Sequence, residues 1–222
     1  MTKPIRYIIT ALLLLLTPSA AFQAFGADVR FRNIQTQNGL SNDDVNCIFK
    51  DSHGFMWFGT ASGLNRYDGY AVKIFHSQRP DTTALRDNYV QNIQEDSQGN
   101  LWICAGDTYS VYNPVNECFT WFGFNEASKL GLPAEPKLIF IQDKRIWFVV
   151  NDNSVYMLDE NRQAVKVAET TPGYAITDIA AKYGSEDIVA VNTSGELFII
   201  NPGGRVISGG KSVGSLPHTA EF

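Results

Sequence analysis

The stretch that decides the fold is residues 40–68, LSNDDVNCIFKDSHGFMWFGTASGLNRYD, which recurs as residues 85–113, LRDNYVQNIQEDSQGNLWICAGDTYSVYN. At this constant offset of 45 residues, eight positions carry identical residues. They are Leu40/Leu85, Val45/Val90, Ile48/Ile93, Asp51/Asp96, Ser52/Ser97, Gly54/Gly99, Trp57/Trp102 and Tyr67/Tyr112. A third copy keeps the same step at Trp147, and a fainter fourth copy without tryptophan runs over residues 177–200. Such a period is typical of arrays in which each repeat is one supersecondary unit.

Each copy is predicted to form four short strands. In the first copy, residues 45–49 and 64–67 alternate between apolar and polar side chains, and residues 55–59 are almost entirely apolar. Residues 72–75 close the unit. Four strands within about 40 residues leave room only for short turns, which favours an antiparallel sheet.

Aspartate and glycine mark the turn between the first and second strands. Asp51 and Asp96 stand where a carboxylate accepts the N–H groups of a turn, and Gly54 and Gly99 stand where the backbone needs a positive φ. The pattern predicts a hairpin at the same step of both copies.

Four-stranded units repeated every 40 to 50 residues or so predict an all-β fold, a partial β-propeller. Each tryptophan of the second strand is expected to pack between adjacent blades. The predicted organisation is a signal peptide over 1–26, an N-terminal strand over 27–39, blades over about 40–79, 85–125, 134–170 and 174–207, and a linker with the start of a truncated fifth blade over 208–222. A β-sandwich is the alternative, but so strict a long period is not expected of it.

The N-terminus has the order of a secretory signal peptide. Lys3 and Arg6 precede the apolar residues 8–16, and small residues follow. This run is about half the ~20 residues that a spanning helix requires, so a transmembrane helix is the weaker interpretation. Cleavage after Ala21 and cleavage after Gly26 both fit the pattern.

Composition excludes several classes of protein. The 222 residues are 44% hydrophobic and 18% charged, which is typical of one globular domain. The formal net charge of −5 argues against a nucleic-acid partner. Three cysteines at irregular spacing, Cys47, Cys104 and Cys118, imply no disulfide framework, and neither they nor the three histidines show zinc-ligand spacing. No metal and no cofactor are expected.

No catalytic motif is visible, whether nucleophile elbow, P-loop, dinucleotide-binding glycine pattern or zinc-binding helix. The adjacent Asp43 and Asp44 are the most tempting carboxylate pair, but neighbouring side chains diverge in a strand or turn. The chain is therefore predicted not to be an enzyme. An exported β-propeller enzyme, a lyase or glycosidase with acidic loop residues as acid and base, stays open as the alternative.

Three motifs of the first copy closely resemble the two-component regulator propeller repeat. They are residues 39–45, 51–60 and 63–69. The second copy departs from the repeat, because Cys104-Ala105 replaces a glycine-threonine pair and Thr108-Tyr109 replaces glycine-leucine. The resemblance covers most of residues 33–206, with sharp motifs only over 39–123. In that family the repeat builds the exported sensor of hybrid two-component systems, where seven-bladed propellers precede a further β domain, a membrane helix and kinase modules.

The resemblance implies a ligand-sensing module of a two-component signal transduction (phosphorelay) protein. It implies an oligosaccharide-type signal, a periplasmic location, and a full-length parent that is a hybrid sensor histidine kinase anchored in the inner membrane. The expected partners are the ligand and the remaining blades and downstream domains of the full-length chain. A homodimer of the full-length protein is a further candidate assembly. These 222 residues are expected to be an N-terminal fragment, an open arc of four blades from a ring of seven with an exposed edge. The resemblance also implies that the strand over 27–39 would close the ring by joining the last blade.

The loops that join one blade to the next share a face with the loops between second and third strands. Candidate ligand-binding residues on this face are Asn42, Asp43, Ser62, Arg86, Asn88, Asp107 and Tyr109. Tyr109 would offer an aromatic platform, and Arg86, Asn88 and Asp107 would bind hydroxyl groups. The candidate structural residues are Asp51, Gly54, Trp57, Asp96, Gly99, Trp102 and Trp147.

Overall fold

Four antiparallel sheets make up the described part of the chain, residues 33–78 and 80–211 of a computed structural model. Each sheet is built from four consecutive strands in chain order. Blade 1 contains β1 (Val45–Lys50), β2 (Met56–Thr60), β3 (Gly63–Tyr67) and β4 (Val72–Phe75), and blade 2 contains β5 (Val90–Glu95), β6 (Leu101–Ala105), β7 (Thr108–Asn113) and β8 (Cys118–Phe122). Blade 3 contains β9 (Leu138–Gln142), β10 (Arg145–Val150), β11 (Ser154–Leu158) and β12 (Ala164–Glu169), and blade 4 contains β13 (Ile176–Ala181), β14 (Ile188–Asn192), β15 (Glu196–Ile200) and β16 (Val206–Lys211).

This arrangement confirms the predicted fold class, an all-β chain of propeller blades. The helices of the described residues are short, a 3-10 helix over Thr36–Asn38 and α1 over Phe124–Lys129. The first strands of successive blades, β1, β5, β9 and β13, contact one another in series. They therefore form the inner side of the blade array.

Two boundaries differ from the sequence-based expectation. Of the strand expected over 27–39, the described residues 33–39 include the 3-10 helix over Thr36–Asn38 rather than a strand. The helix ends at Gly39, whose φ of 104° belongs to the left-handed region. At the other end, β16 continues to Lys211, beyond the expected limit of residue 207. The predicted signal peptide over 1–26 and the tail over 212–222 lie outside the described residues.

Apolar side chains fill the interface between each pair of successive blades. In each interface an indole of one blade packs with residues on the second strand of the next blade. These groups are Trp57 with Leu101 and Ile103, Trp102 with Ile146 and Phe148, and Trp147 with Ile188 and Ala190. The three indoles are 1–3% exposed, so each contributes a fully buried ring to the core.

The first hairpin of blades 1 and 2 is organised by an aspartate. Asp51 Oδ1 accepts hydrogen bonds from the backbone N–H groups of His53 and Phe55 at 3.0 and 2.9 Å. Its Oδ2 accepts the indole N–H of Trp57 at 2.7 Å. Asp96 accepts the indole N–H of Trp102 at 3.1 Å in the same way. The carboxylate therefore connects the turn to the interface between blades.

Blade 3 has a different first hairpin. Gln142 pairs with Arg145, and the two turn residues between them, Asp143 and Lys144, have φ values of 48° and 68°. Nε1 of Trp147 is buried, and among residues 33–78 and 80–211 it has no hydrogen-bond partner. The shorter turn explains why the third copy lacks the glycine of the first two.

Candidate functional site

The meander topology separates the loops into two faces. The top face consists of the turns between the second and third strands of each blade and the segments that join one blade to the next. The remaining turns form the bottom face, because antiparallel strands alternate in direction. All seven predicted ligand-binding residues belong to the top face.

The candidate residues of blade 1 bind one another or the segment that precedes β1. Asn42 donates from Nδ2 to Oγ of Ser62 at 3.0 Å. The carboxylate of Asp43 accepts the backbone N–H of Thr36 at 2.7 Å and its hydroxyl at 3.2 Å. These contacts hold the segment that leads into β1.

Arg86 and Asn88 hold the connection between blades 1 and 2. The guanidinium of Arg86 lies 5.7 Å from the ring centroid of Trp121, within range of a cation–π interaction. Oδ1 of Asn88 accepts the backbone N–H of Ser77 at 2.7 Å. Both side chains therefore have partners within the protein.

Tyr109 lies between blades 2 and 3. Its ring packs against the cluster that contains Trp102, and its hydroxyl accepts the backbone N–H of Ile139 at 3.1 Å. Burial raises the pKa of the Tyr109 phenol well above its usual value of 10.0. The side chain thus joins β7 to β9. Its ring is partly buried, whereas an aromatic platform for a ligand needs an exposed ring face.

Tyr109 and Asp107 are the two predicted residues that share a concave site. This site, which we call the 2/3 cleft, has a volume of about 580 Å³. Its lining residues are Gln91, Cys104, Gly106, Asp107, Tyr109, Glu135, Pro136, Lys137 and Leu138. A volume of this size is within the range of small-ligand sites.

The charged groups of the 2/3 cleft are exposed. Asp107 and Glu135 are exposed, and neither forms a salt bridge within the described residues. Nζ of Lys137 binds the carboxylate of Asp152 in the next loop. The pKa of the Cys104 thiol is raised, chiefly by burial, so the thiol stays protonated at neutral pH and is a poor nucleophile.

A second concave site, the 3/4 cleft, lies on the same face between blades 3 and 4. Its volume is about 420 Å³, and Tyr174 on its rim is 45% exposed. Its lining residues are Asn151, Asp152, Asn153, Pro172, Gly173, Tyr174, Ala175 and Thr193. Sequence reasoning missed these residues because the third and fourth copies match the repeat only in outline, although Pro172-Gly173 is a clear turn signal.

The described residues contain neither a metal-binding cluster nor a membrane-spanning helix. Histidine, cysteine and acidic side chains form no group of three or more that could hold a metal ion there. In the same residues no helix combines the length and the apolar character needed to cross a membrane.

The blades, their inter-blade tryptophans and the hairpin aspartates define a β-propeller. Residues 39–62 and 84–107, at the start of the first two blades, match the family model described as two component regulator propeller. The first segment contains two of the three motifs on which the sequence-based resemblance was recognised, residues 39–45 and 51–60, and that recognition is confirmed.

Similar proteins include a histidine kinase, the extracellular domain of a two-component system and a lyase. A histidine kinase of Formosa agariphila, named P4, is 32% identical over 65 residues, which are 29% of this chain and 5% of the relative. The extracellular domain of a hybrid two-component system from B. thetaiotaomicron superposes with a TM-score of 0.59 at 20% identity, over 76% of this chain and 24% of that one. Virginiamycin B lyase from Staphylococcus aureus superposes with a TM-score of 0.55 at 18% identity, over 82% of this chain and 60% of the lyase. The two structural likenesses show the fold. The chain spans only 5% of the histidine kinase and 24% of the two-component chain.

Proposed function

We propose that this chain is the ligand-sensing propeller module of a two-component signal transduction protein, and that the 2/3 cleft binds an oligosaccharide-type signal. The observation that carries the proposal is the position of this cleft. Gln91, Cys104, Gly106 and Asp107 line it, and all four belong to the repeat matched over residues 84–107.

The cleft offers the hydrogen-bonding groups that sugar hydroxyls need. The carboxylates of Asp107 and Glu135 are acceptors without an ion-pair partner in the described residues, and the amide of Gln91 both donates and accepts. Hydroxyl groups match such a mixture because each is a donor and an acceptor. The ligand would lie in the plane where blades 2 and 3 meet.

A sensor role requires that the ligand distinguish two arrangements of the protein, since equal affinity for both shifts nothing. The walls of the 2/3 cleft come from two blades, with Asp107 on blade 2 and Lys137 beside β9 of blade 3. A ligand that contacts both walls favours the arrangement in which they are closest. This relationship between blades is the physical basis of the proposed signal.

This chain spans only a small part of the histidine kinase and of the two-component protein that it resembles, which supports a larger parent protein. We infer a periplasmic sensor region anchored in the inner membrane, within a chain that also carries a histidine kinase and further domains. The extended reading frame of the gene is expected to encode a membrane helix and kinase motifs in addition to residues 1–222. A frame that encodes seven blades and no such modules would favour the enzyme alternative.

Calorimetry with the 222-residue chain tests the binding proposal. A panel of plant-type and microbial oligosaccharides is expected to contain one chemical class that binds, and Asp107→Asn with Gln91→Ala is expected to weaken that binding at least tenfold. Glu160→Gln is the matched control, because Glu160 is an exposed carboxylate on the bottom face. Full affinity in the double variant would contradict the assignment, and conversion of the bound sugar to products would establish an enzyme instead.

A further inference from the structure

We propose that the 3/4 cleft is a second subsite, and that the ligand is an extended, uncharged oligosaccharide whose chain runs from the 2/3 cleft into the 3/4 cleft. This inference rests on the proposed function and adds to it the length and charge of the ligand. It concerns residues of blades 3 and 4, which lie outside the matched repeats.

A salt bridge connects the linings of the two clefts. Lys137 lines the 2/3 cleft, Asp152 lines the 3/4 cleft, and the two side chains form a salt bridge. These side chains are 64% and 50% exposed. Exposed ion pairs contribute little to stability and rearrange readily, so a bound chain can pass over this pair.

The groups of the 3/4 cleft suit a sugar ring. The side chain of Tyr174 is 45% exposed, and apolar faces of sugars stack on aromatic rings while their hydroxyls stay hydrated. Asn151 and Thr193 are exposed on the same rim, and no hydrogen bond of their side chains occurs among the described residues. One stacking surface with polar groups beside it is therefore available.

The loops of this cleft are held by backbone hydrogen bonds. The N–H of Ile176 donates to the carbonyl of Asp152 at 2.6 Å, and the N–H of Thr193 donates to the carbonyl of Ala175 at 2.8 Å. Asn151 and Asp152 adopt φ values of 50° and 68°, a conformation that asparagine and aspartate tolerate better than other side chains. The rim is thus tied across two blades before any ligand binds, which reduces the entropy cost of binding.

The charges of the two clefts favour an uncharged chain. The linings of the two clefts contain three carboxylates, those of Asp107, Glu135 and Asp152. Their one cation is Lys137, which already forms a salt bridge with Asp152. A chain of uronic acids would bring further carboxylates to this surface and meet repulsion. A neutral chain can use the same carboxylates as hydroxyl acceptors.

Calorimetry with chains of increasing length tests the inference. The probes are β-1,4-linked gluco-, xylo- and manno-oligosaccharides from disaccharide to hexasaccharide, with oligogalacturonides as the charged series. The affinity of the protein for the neutral class that binds is expected to rise about tenfold or more between the disaccharide and the longer chains. Tyr174→Ala is expected to remove this gain and leave disaccharide affinity unchanged.

Tyr183→Ala is the matched control, because Tyr183 is fully exposed in the β13–β14 turn of the same blade, on the bottom face. It is expected to bind every chain as the wild type does. Affinity that is independent of chain length, an unchanged gain in Tyr174→Ala, or preference for oligogalacturonides would overturn the inference while the proposed function stands. If no oligosaccharide binds the wild type, the proposed function fails and the inference fails with it.

Discussion

The carboxylate of Asp51 accepts a hydrogen bond of 2.7 Å from the indole N–H of Trp57, six residues further along the chain. The same carboxylate closes the hairpin between β1 and β2. One side chain therefore positions a turn and also satisfies the polar atom of a ring that is 1% exposed. Blade 2 repeats the relationship with Asp96 and Trp102, and blade 3 lacks it.

Asp51→Ala is expected to lower the free energy of unfolding by about 2–4 kcal/mol, because a buried indole N–H loses its acceptor and the turn loses its cap. Asp68→Ala is the matched control. Asp68 accepts the N–H groups of Tyr70 and Ala71 at 2.8 Å in an exposed turn and has no indole partner. Urea denaturation of both variants checks the prediction, and equal losses would show that the indole contact contributes nothing.

Trp57→Phe is expected to destabilise the protein by about 1 kcal/mol more than Trp147→Phe. Both changes shrink a buried ring between blades, but only Trp57 donates a hydrogen bond in the described structure. Thermal and urea unfolding of the two variants measure the difference. A larger loss for Trp147→Phe would mean that its N–H has an acceptor after all.

Gly59→Ala is expected to destabilise the protein by about 1–3 kcal/mol through overpacking. A Cβ at this position would lie 2.5 Å from Sγ of Cys47 and 2.6 Å from Cγ1 of Val90, at the interface of blades 1 and 2. Gly123→Ala is the control, since its nearest neighbour would be 3.9 Å away. Adding Cys47→Ala to Gly59→Ala should restore part of the loss, and no rescue would argue against this clash as the cause.

Glu117 links blade 2 to blade 1, and its ion pairs predict a pH dependence. Hydrogen bonds from Lys73 and from Arg66, at 2.6 and 2.9 Å, hold the pKa of Glu117 below its ordinary value of 4.5. Because the folded pKa is the lower one, the contribution to stability is complete above the unfolded value and is lost as the pH falls through the folded value. The site is exposed, so the effect is small.

Glu117→Gln is therefore expected to be slightly less stable than wild type at about pH 7, with the two unfolding curves converging towards about pH 3. Urea denaturation across this range measures the convergence, and NMR titration of the Glu117 carboxyl measures its pKa directly. A difference that persists unchanged at the acidic end would contradict the assignment of the ion pairs.

Local patterns in the sequence were sufficient for the blades and their hairpins. Asp51, Gly54 and Trp57 recur as Asp96, Gly99 and Trp102, and a turn that needs a carboxylate cap and a positive φ leaves few other choices of residue. The candidate site was harder to predict. Of seven candidate ligand residues only Asp107 and Tyr109 line the 2/3 cleft, because the other five belong to the loops of blade 1 or to the segment that joins blade 1 to blade 2.

What the sequence determined by itself is the repeating unit: its period, its strands, its turns and the indole that each of the first three blades places between itself and the next. Only the tertiary structure decided which equivalent residues are covered. Ile48 and Ile93 occupy the same place in their repeats, yet Ile93 is 4% exposed beneath blade 1 and Ile48 is 61% exposed because no described blade precedes it. The clefts follow the same rule, since Asp107 of blade 2 and Lys137 of blade 3 line one cleft only where these two blades pack side by side. Contacts within a unit depend on neighbours in the chain, whereas burial and binding surfaces depend on which units stand next to each other.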